Sequence, residues 1–108
     1  MNFKLKTTRN FDREVKLLAK KYPSLKNDLR QLSQSLQENP KIGQPLGHNS
    51  YKIRMAITSK NKGKSGGARI ITHFYVSKGV VFLLSIYDKS ELENISEKHL
   101  KALLKQLE

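Results

Sequence analysis

The sequence predicts an α+β fold in which an antiparallel, twisted sheet carries a helical hairpin and a C-terminal helix. Two segments before residue 40 and one after residue 96 repeat their apolar residues at helical spacing. Between them lie segments rich in β-branched and aromatic residues, separated by glycine-containing turns. A chain of 108 residues has room for one modest core, so we expect a single domain over residues 1–108.

The first two elements are a short strand and a helix. Phe3 and Leu5 alternate with lysines, which is typical of a strand with one buried face. The apolar residues that follow are spaced as in a helix, with Thr8 or Asn10 available as the N-cap and Pro23 as the stop.

A second helix and a connecting loop complete the N-terminal half. Leucines recur every three or four residues from near Ser24 until Asn39 and Pro40 end the pattern. Two helices joined by so short a turn are expected to form an antiparallel hairpin. Residues 42–49 contain two glycines and a proline, and they predict a loop that leads onto the sheet.

Three further strands are expected between residues 51 and 87. In the first, apolar residues alternate with Lys52, Arg54 and two smaller side chains, so the strand has a dry face and a cationic face. Residues 59–67 are polar and glycine-rich, and they predict a flexible hairpin connection. Residues 68–76 and 80–87 are almost continuously apolar, which is typical of inner strands that are covered on both faces.

The C-terminal part is predicted to be helical. Ser90 with Glu93 fits a capping box for a short helical turn, and Ser96 opens a last helix with one leucine stripe. The resulting order of elements favours helices packed on one face of the sheet.

The charge of the chain indicates an anionic partner. Lysine and arginine number 21 against 9 acidic residues, which gives a formal net charge of +12. Net charge alone does not choose among a nucleic acid, an anionic membrane and an acidic protein segment.

Other features narrow the class of protein. The chain contains no cysteine, and its three histidines share no ligand spacing, so we expect neither a metal site nor a cofactor. The N-terminus has no apolar stretch typical of a signal peptide or a membrane span, so we expect a cytoplasmic protein with no membrane partner.

The residues that look most like chemistry are four cations at the ends of the predicted strands: Lys52, Arg54, Arg69 and Lys89. Cleavage of RNA without a metal needs a base for the 2'-hydroxyl, cations for the charge at phosphorus and an acid for the leaving 5'-oxygen. Lys52 beside Arg54 is the candidate base, and Arg69 is expected to face the same phosphate with bidentate geometry. Each residue can equally be an idle, exposed charge on a strand face, and only their convergence favours a site.

Further candidates surround this set. Lys60, Lys62 and Lys64 in the glycine-rich loop are candidate RNA contacts, although the same loop can be merely solubilising. The loop is not a Walker motif, because the preceding glycine pattern and the strand-to-helix context are missing.

Three residues of the last two strands are open to more than one interpretation. Tyr87 can stack on a base or orient Lys89, whereas Asp88 can equally form a turn. His73 is either a proton carrier or a buried side chain with one hydrogen bond.

Three segments together resemble the RelE/ParE superfamily of bacterial type II toxins. They are Tyr-Lys-Ile-Arg at residues 51–54, Lys-Ser-Gly-Gly-Ala-Arg at 64–69 and Ile-Tyr-Asp-Lys-Ser-Glu at 86–91. The second segment is similar to HigB-type members in particular. The resemblance extends over nearly the whole chain, since the family has the same order of elements.

The resemblance implies a small basic toxin that is made with an antitoxin carrying an acidic segment. Active members enter the ribosomal A site and cut messenger RNA there. On this basis Lys52 acts as the base, and Arg54 and Arg69 stabilise the transition state. Lys89 holds the phosphate or protonates the leaving oxygen.

The sequence departs from the family at one place. Many family nucleases bring an aromatic or histidine side chain from the C-terminal segment, whereas this chain has Ile95 at the comparable position. Tyr87 is the candidate substitute. Two alternatives stay open: an inhibitor that binds DNA gyrase without cutting RNA, and a decayed toxin that acts only with its antitoxin as a corepressor.

Overall fold

The computed structural model describes residues 3–92 and 94–107, and it confirms the α+β fold. The elements are β1 (Lys4–Thr7), α1 (Arg9–Lys21), α2 (Leu25–Glu38), β2 (Gln44–Gly47), β3 (Ser50–Met55), β4 (Ala68–Tyr75), β5 (Val80–Asp88) and α3 (Glu97–Leu104). No helix in the described part of the chain is long and apolar enough to cross a bilayer.

The five strands form one sheet in the order β1-β5-β4-β3-β2. The pairs β2–β3, β3–β4 and β4–β5 are antiparallel, as predicted. The pairing of β1 with β5 is parallel, so the expectation of a fully antiparallel sheet was wrong at this edge. A parallel pair needs a long crossover, and here the crossover includes the helical hairpin and the other strands.

The segment predicted as a loop before β3 contains the edge strand β2. Gln44 lies opposite Lys52 and Pro45 opposite Tyr51, with a register shift before Gly47. Proline and glycine lowered the expectation of a strand, but an edge strand tolerates a proline because one side of its backbone needs no partner.

The N-terminus of α1 is fixed by Thr8, one of the two caps that the sequence offered. Thr8 Oγ1 accepts a hydrogen bond from the Phe11 backbone N–H at 3.2 Å, and the Thr8 backbone N–H donates to Leu83 O at 3.2 Å. The cap therefore ties the start of α1 to the middle of β5.

The helices cover both faces of the sheet, so the expectation that they share one face was wrong. The core under α1 and α2 includes Leu25, Leu36 and Ile70. The core under α3 includes Ile71 and Leu100. Because neighbouring strand residues point to opposite faces, Ile70 and Ile71 enter different cores, which accounts for the continuous apolar pattern of the inner strands.

The C-terminal segment differs in part from its prediction. Residues 89–91 form a turn and not a helix, and Glu93 lies outside the described residues. The last helix begins where expected, since Ser96 Oγ accepts a hydrogen bond from the His99 backbone N–H at 3.0 Å.

Candidate functional site

Two of the predicted cations stand in one row across the sheet. In the strand register, Arg54 on β3 lies opposite Arg69 on β4, and Arg69 lies opposite Tyr87 on β5. Directly opposed residues on antiparallel strands have Cα atoms about 5 Å apart and share a face of the sheet. Lys52 lies two residues before Arg54 and therefore points to the same face.

Lys89 extends this group beyond the end of β5. Its backbone N–H donates to Gly67 O at 3.1 Å, which continues the ladder one step past Asp88 and Ala68. Arg54, Arg69 and Lys89 therefore lie toward one end of the central strands, and Lys52 is two residues further along β3. Lys89 lines a groove with Lys62 and Ser65 that is separate from the groove lined by Lys52 and Arg54. We call Lys52, Arg54, Arg69 and Lys89 the cationic cluster.

Arg69 is buried, contrary to the expectation of an exposed charge on a strand face. Its Nη1 donates to Lys64 O at 2.9 Å and Ala68 O at 3.1 Å, and its Nη2 contacts Ser65 O at 3.5 Å. A guanidinium carries five N–H donors, so these contacts use only part of its donor capacity. Arg69 therefore also holds the C-terminal half of the glycine-rich loop in place.

Lys52 and Arg54 border an open groove between β2, β3 and the loop. The groove has a volume of about 510 Å³, and Gly43, Gln44 and Lys64 also line it. Arg54 is exposed, whereas Lys52 is half-buried and its Nζ donates to Asn94 Oδ1 at 3.0 Å. The side chain of Asn94, in the segment before α3, therefore contacts the cationic cluster.

Gly43 is required for the wall of this groove. It has a positive φ of 107°, and a Cβ atom there would lie 2.5 Å from Lys52 O. Only glycine combines this conformation with so close an approach to β3.

The glycine-rich loop is hydrogen-bonded near both ends, and the prediction of a flexible connection did not include these contacts. The buried carboxylate of Asp28 accepts hydrogen bonds from the Thr58 backbone N–H at 3.0 Å and from Thr58 Oγ1 at 2.6 Å. Arg69 holds the other end. Gly67 fits there because a Cβ atom would clash with Met55 O.

Asp88 provides a further anchor, which sequence reasoning did not identify as such. The fully buried carboxylate accepts hydrogen bonds from Lys60 Nζ (2.6 Å), Tyr22 Oη (2.6 Å), Ser90 N (3.0 Å) and Ser90 Oγ (2.8 Å). Burial alone would raise the pKa of Asp88, but these hydrogen bonds outweigh it and hold the pKa well below its usual range. Lys60 and Tyr22 are distant in sequence, so no local pattern indicated their contacts, whereas the bonds from Ser90 form the turn that the sequence offered as one interpretation of Asp88.

The Asp88 ion pair changes the interpretation of Lys60. Its ammonium is mostly buried against the carboxylate, and the hydrogen bond from Lys60 to Asp88 raises the pKa of Lys60. Lys60 is therefore engaged inside the protein. The other two predicted RNA contacts, Lys62 and Lys64, are exposed.

Tyr87 is buried beside Arg69, with 8% of its surface exposed. Its ring belongs to the core under α3, where it joins Leu100 and Leu103, so its face is not open for stacking on a base. Its hydroxyl has no hydrogen-bond partner among the described residues. Burial raises the pKa of Tyr87, and the charge of Arg69 opposes this only in part.

His73 lies outside the cationic cluster. It is four residues from Arg69, which is about 13 Å along a strand. Its Nδ1 is 3.4 Å from Ser50 Oγ, and burial lowers its pKa. Of the two sequence interpretations, this geometry favours the half-buried histidine with one side-chain contact.

Comparison with known proteins identifies the family. The family model described as the RelE toxin of the RelE / RelB toxin-antitoxin system matches residues 3–107. The chain belongs to the RelE toxin family. This result confirms the superfamily that the three sequence segments suggested.

Solved RelE structures have the same fold. The isolated Escherichia coli RelE toxin is 21% identical, with a TM-score of 0.63, and the match covers 95% of this chain and 97% of that chain. RelE in the intact E. coli RelBE toxin-antitoxin complex is 20% identical, with a TM-score of 0.61 and coverage of 80% and 95%. A mutant of E. coli RelE in the free state is 19% identical, with a TM-score of 0.64 and full coverage of both chains.

Proposed function

We propose that this RelE family member is the toxin of a type II toxin-antitoxin system and cleaves messenger RNA on the ribosome without a metal ion. The observation that carries the proposal is the cationic cluster, in which Arg54 on β3 lies directly opposite Arg69 on the neighbouring strand β4. Cations on neighbouring strands, of which Arg54 is exposed, suit the charge that develops on a phosphodiester during cleavage.

The reaction is a transfer of the phosphodiester from the 5'-oxygen to the neighbouring 2'-oxygen. Lys52 takes the proton of the 2'-hydroxyl, and the resulting oxygen attacks phosphorus. The bond to the 5'-oxygen breaks, and Lys89 gives that oxygen a proton. The products are a 2',3'-cyclic phosphate and a free 5'-hydroxyl.

The two arginines stabilise the charge at phosphorus in different ways. Arg54 is exposed and supplies a guanidinium from the groove. Arg69 is fixed by the loop carbonyls, so it loses little entropy when it contacts a phosphate oxygen. Lys89 also binds the scissile phosphate before the bond breaks.

Tyr87 takes the place of the missing aromatic or histidine side chain. A phenol is protonated at neutral pH, and burial raises the pKa of Tyr87 further, so the residue acts as a hydrogen-bond donor and not as a base. Lys62 and Lys64 contact flanking phosphates from the loop, whose ends are anchored. Lys60 is left out of this set because of its ion pair with Asp88.

The partner is an antitoxin with an acidic segment, and the protein acts in the cytoplasm. An intact RelBE complex is among the solved structures of similar fold. In this chain, a groove of about 660 Å³ lies between α1 and α2. Phe11, Val15, Ala19 and Leu29 line it, together with Lys16, Lys20 and Lys26 against one carboxylate, Asp12. Apolar anchors with acidic flanks fit this groove.

The Lys-Ser-Gly-Gly-Ala-Arg segment at residues 64–69 supports placement in the HigB-like branch. Its second glycine and its arginine both shape the loop, since Gly67 packs against β3 and Arg69 binds the loop carbonyls.

Mapping of RNA ends in a purified translation system tests the proposal. Wild-type protein is expected to produce new 5'-hydroxyl ends on translated message, whereas Arg54→Ala is expected to produce almost none. Arg30→Ala, which removes an exposed arginine from α2, is the matched control and should cleave normally.

Intact message with the wild-type protein would refute the nuclease. A supercoiling assay with DNA gyrase then tests the alternative inhibitor, which needs no aligned base and acid. Growth arrest on induction of the gene tests whether the chain is a toxin at all.

A further inference from the structure

A cluster of aromatic side chains lies on the sheet away from the cationic cluster. The ring centroids of Tyr75 and Phe82 are 6.4 Å apart, and those of His73 and Tyr75 are also 6.4 Å apart. Tyr75 is 39% exposed, whereas Phe82 and His73 are half-buried. Tyr75 is six residues from Arg69, which is about 20 Å along β4.

Lysines surround these rings. Lys78 Nζ lies 5.9 Å from the Tyr75 ring centroid. Lys4 and Lys6 on β1 pair with Val80 and Phe82 in the parallel register. Phe3 and Leu5 pack against the opposite core, so strand alternation turns Lys4 and Lys6 toward the face that carries Phe82.

The lysines are available for an external anion. Within residues 3–92 and 94–107, none of Lys4, Lys6 and Lys78 forms an ion pair. Glu97, at the start of α3, pairs with His48 and not with these lysines: its Oε1 lies 3.5 Å from His48 Nε2.

We propose that this surface, which we call the aromatic platform, binds unpaired nucleotides of an RNA strand. An exposed aromatic side chain on a sheet surface can stack on a base, and flanking lysines can bind the phosphates on either side of it. The platform is distinct from the candidate site, so it binds RNA whether or not the cationic cluster cuts it.

The composition of the surface favours RNA over a protein segment. An apolar protein anchor of the helix-in-groove type fits a concave site such as the groove between α1 and α2, whereas the platform is a strand surface with one exposed ring, over which Lys78 lies, and neighbouring cations. An acidic peptide would satisfy the lysines but would leave the ring of Tyr75 without a specific role. A single-stranded nucleic acid would bind the lysines through its phosphates and the Tyr75 ring through a base.

A binding assay with an uncleavable strand tests the platform separately from catalysis. The probe is a short, fluorescently labelled oligonucleotide with 2'-O-methyl groups, which lacks the hydroxyl needed for cleavage, and affinity is read by anisotropy. Tyr75→Leu removes the ring but keeps an apolar side chain, and it is expected to weaken binding roughly 5- to 150-fold, the range for loss of one stacked base. Tyr75→Phe keeps the ring and should bind like the wild type.

Two controls separate stacking from other effects. Leu17→Ala changes a side chain on α1 that is 59% exposed and should leave affinity unchanged. The slope of log affinity against log salt concentration reports the number of phosphate contacts. Lys78→Ala should reduce this slope by the amount of about one contact, whereas Tyr75→Leu should leave it unaltered. Thermal unfolding of each variant verifies the fold.

Equal affinity of Tyr75→Leu and the wild type would overturn the proposal. So would a change from dimer to monomer in Tyr75→Leu with RNA affinity preserved, because the surface would then be an interface between two copies. If the wild-type protein does not cleave RNA but Tyr75→Leu still weakens binding, only the nuclease proposal is refuted.

Discussion

Arg69 combines a structural contact with the proposed catalytic one. Sequence reasoning assigned it to the phosphate and expected an exposed side chain, but the guanidinium is buried against the loop carbonyls. The difference arises because a long side chain at a strand end can turn back under a loop, and strand alternation does not reveal such a turn. The loop and the arginine therefore depend on each other.

Arg69→Ala is expected to lower the free energy of unfolding as well as to abolish cleavage. Loss of the guanidinium removes charge-assisted hydrogen bonds to the carbonyls of Lys64 and Ala68, at a cost of about 1–3 kcal/mol. Chemical denaturation measures the first effect and RNA-end mapping the second. Arg30→Ala provides the control. If Arg69→Ala has the same midpoint of denaturant unfolding as the wild type, the loop contacts contribute nothing to stability.

Tyr87, unlike Arg69, is expected to destabilise the fold while it contributes to the proposed reaction. Its buried hydroxyl has no partner among the described residues, and such a group destabilises a protein. Tyr87→Phe should therefore raise the free energy of unfolding by about 1 kcal/mol or more. The same variant should cleave RNA more slowly, because the proposed donor is missing.

Thermal unfolding and single-turnover cleavage measure the two effects of Tyr87→Phe. A more stable variant with unchanged cleavage would remove Tyr87 from the mechanism. A less stable variant would show that the hydroxyl has a partner in solution.

At the scale of elements, the glycine-rich loop is positioned by contacts that are distant in sequence. Asp28 on α2 holds its first turn, and Asp88 at the end of β5 holds Lys60. These anchors account for the loop staying close to the cationic cluster despite its glycines.

Asp88→Asn is expected to destabilise the protein by about 1–3 kcal/mol, since it removes the counter-charge of Lys60 and weakens the hydrogen bonds that the buried carboxylate accepts. The pKa of Asp88 is lowered by folding, so the stability it provides is present above its unfolded pKa of about 4 and is lost as the pH falls further. The pKa of Lys60 is raised, so its share persists up to about pH 10 and is lost only above that.

The measurement is the free energy of unfolding from pH 2 to 8 for the wild type and Asp88→Asn. The difference between them should be constant near neutrality and should shrink in acid. A difference that does not change with pH would contradict the ionised state of Asp88.

The elements differed in how well the sequence predicted them. Helices α1, α2 and α3 and strands β3 to β5 followed from apolar spacing, since their patterns record which faces are buried. The edge strand β2 and the parallel pairing of β1 depend on backbone partners that side-chain patterns do not specify. The convergence of Arg54 and Arg69 was expected, whereas the contacts of Asp88 and Lys60 needed three-dimensional information.

At the scale of the whole molecule, the charge of +12 is divided among surfaces with different proposed tasks. The cationic cluster occupies one end of the central strands, the aromatic platform lies further along the sheet, and the groove between α1 and α2 has its own lysines. Salt will weaken RNA binding at any of these surfaces, so salt dependence alone does not locate the reaction.

The most direct test of the account is whether Arg54 and Lys89 act on the same phosphodiester. We would measure single-turnover cleavage for the wild type, Arg54→Ala, Lys89→Ala and the double variant on ribosome-bound message. If both cations contact one scissile phosphate, the combined loss should differ from the sum of the single losses by about 0.5–3 kcal/mol of activation free energy. Strictly additive losses, or single variants that cleave like the wild type, would contradict the account.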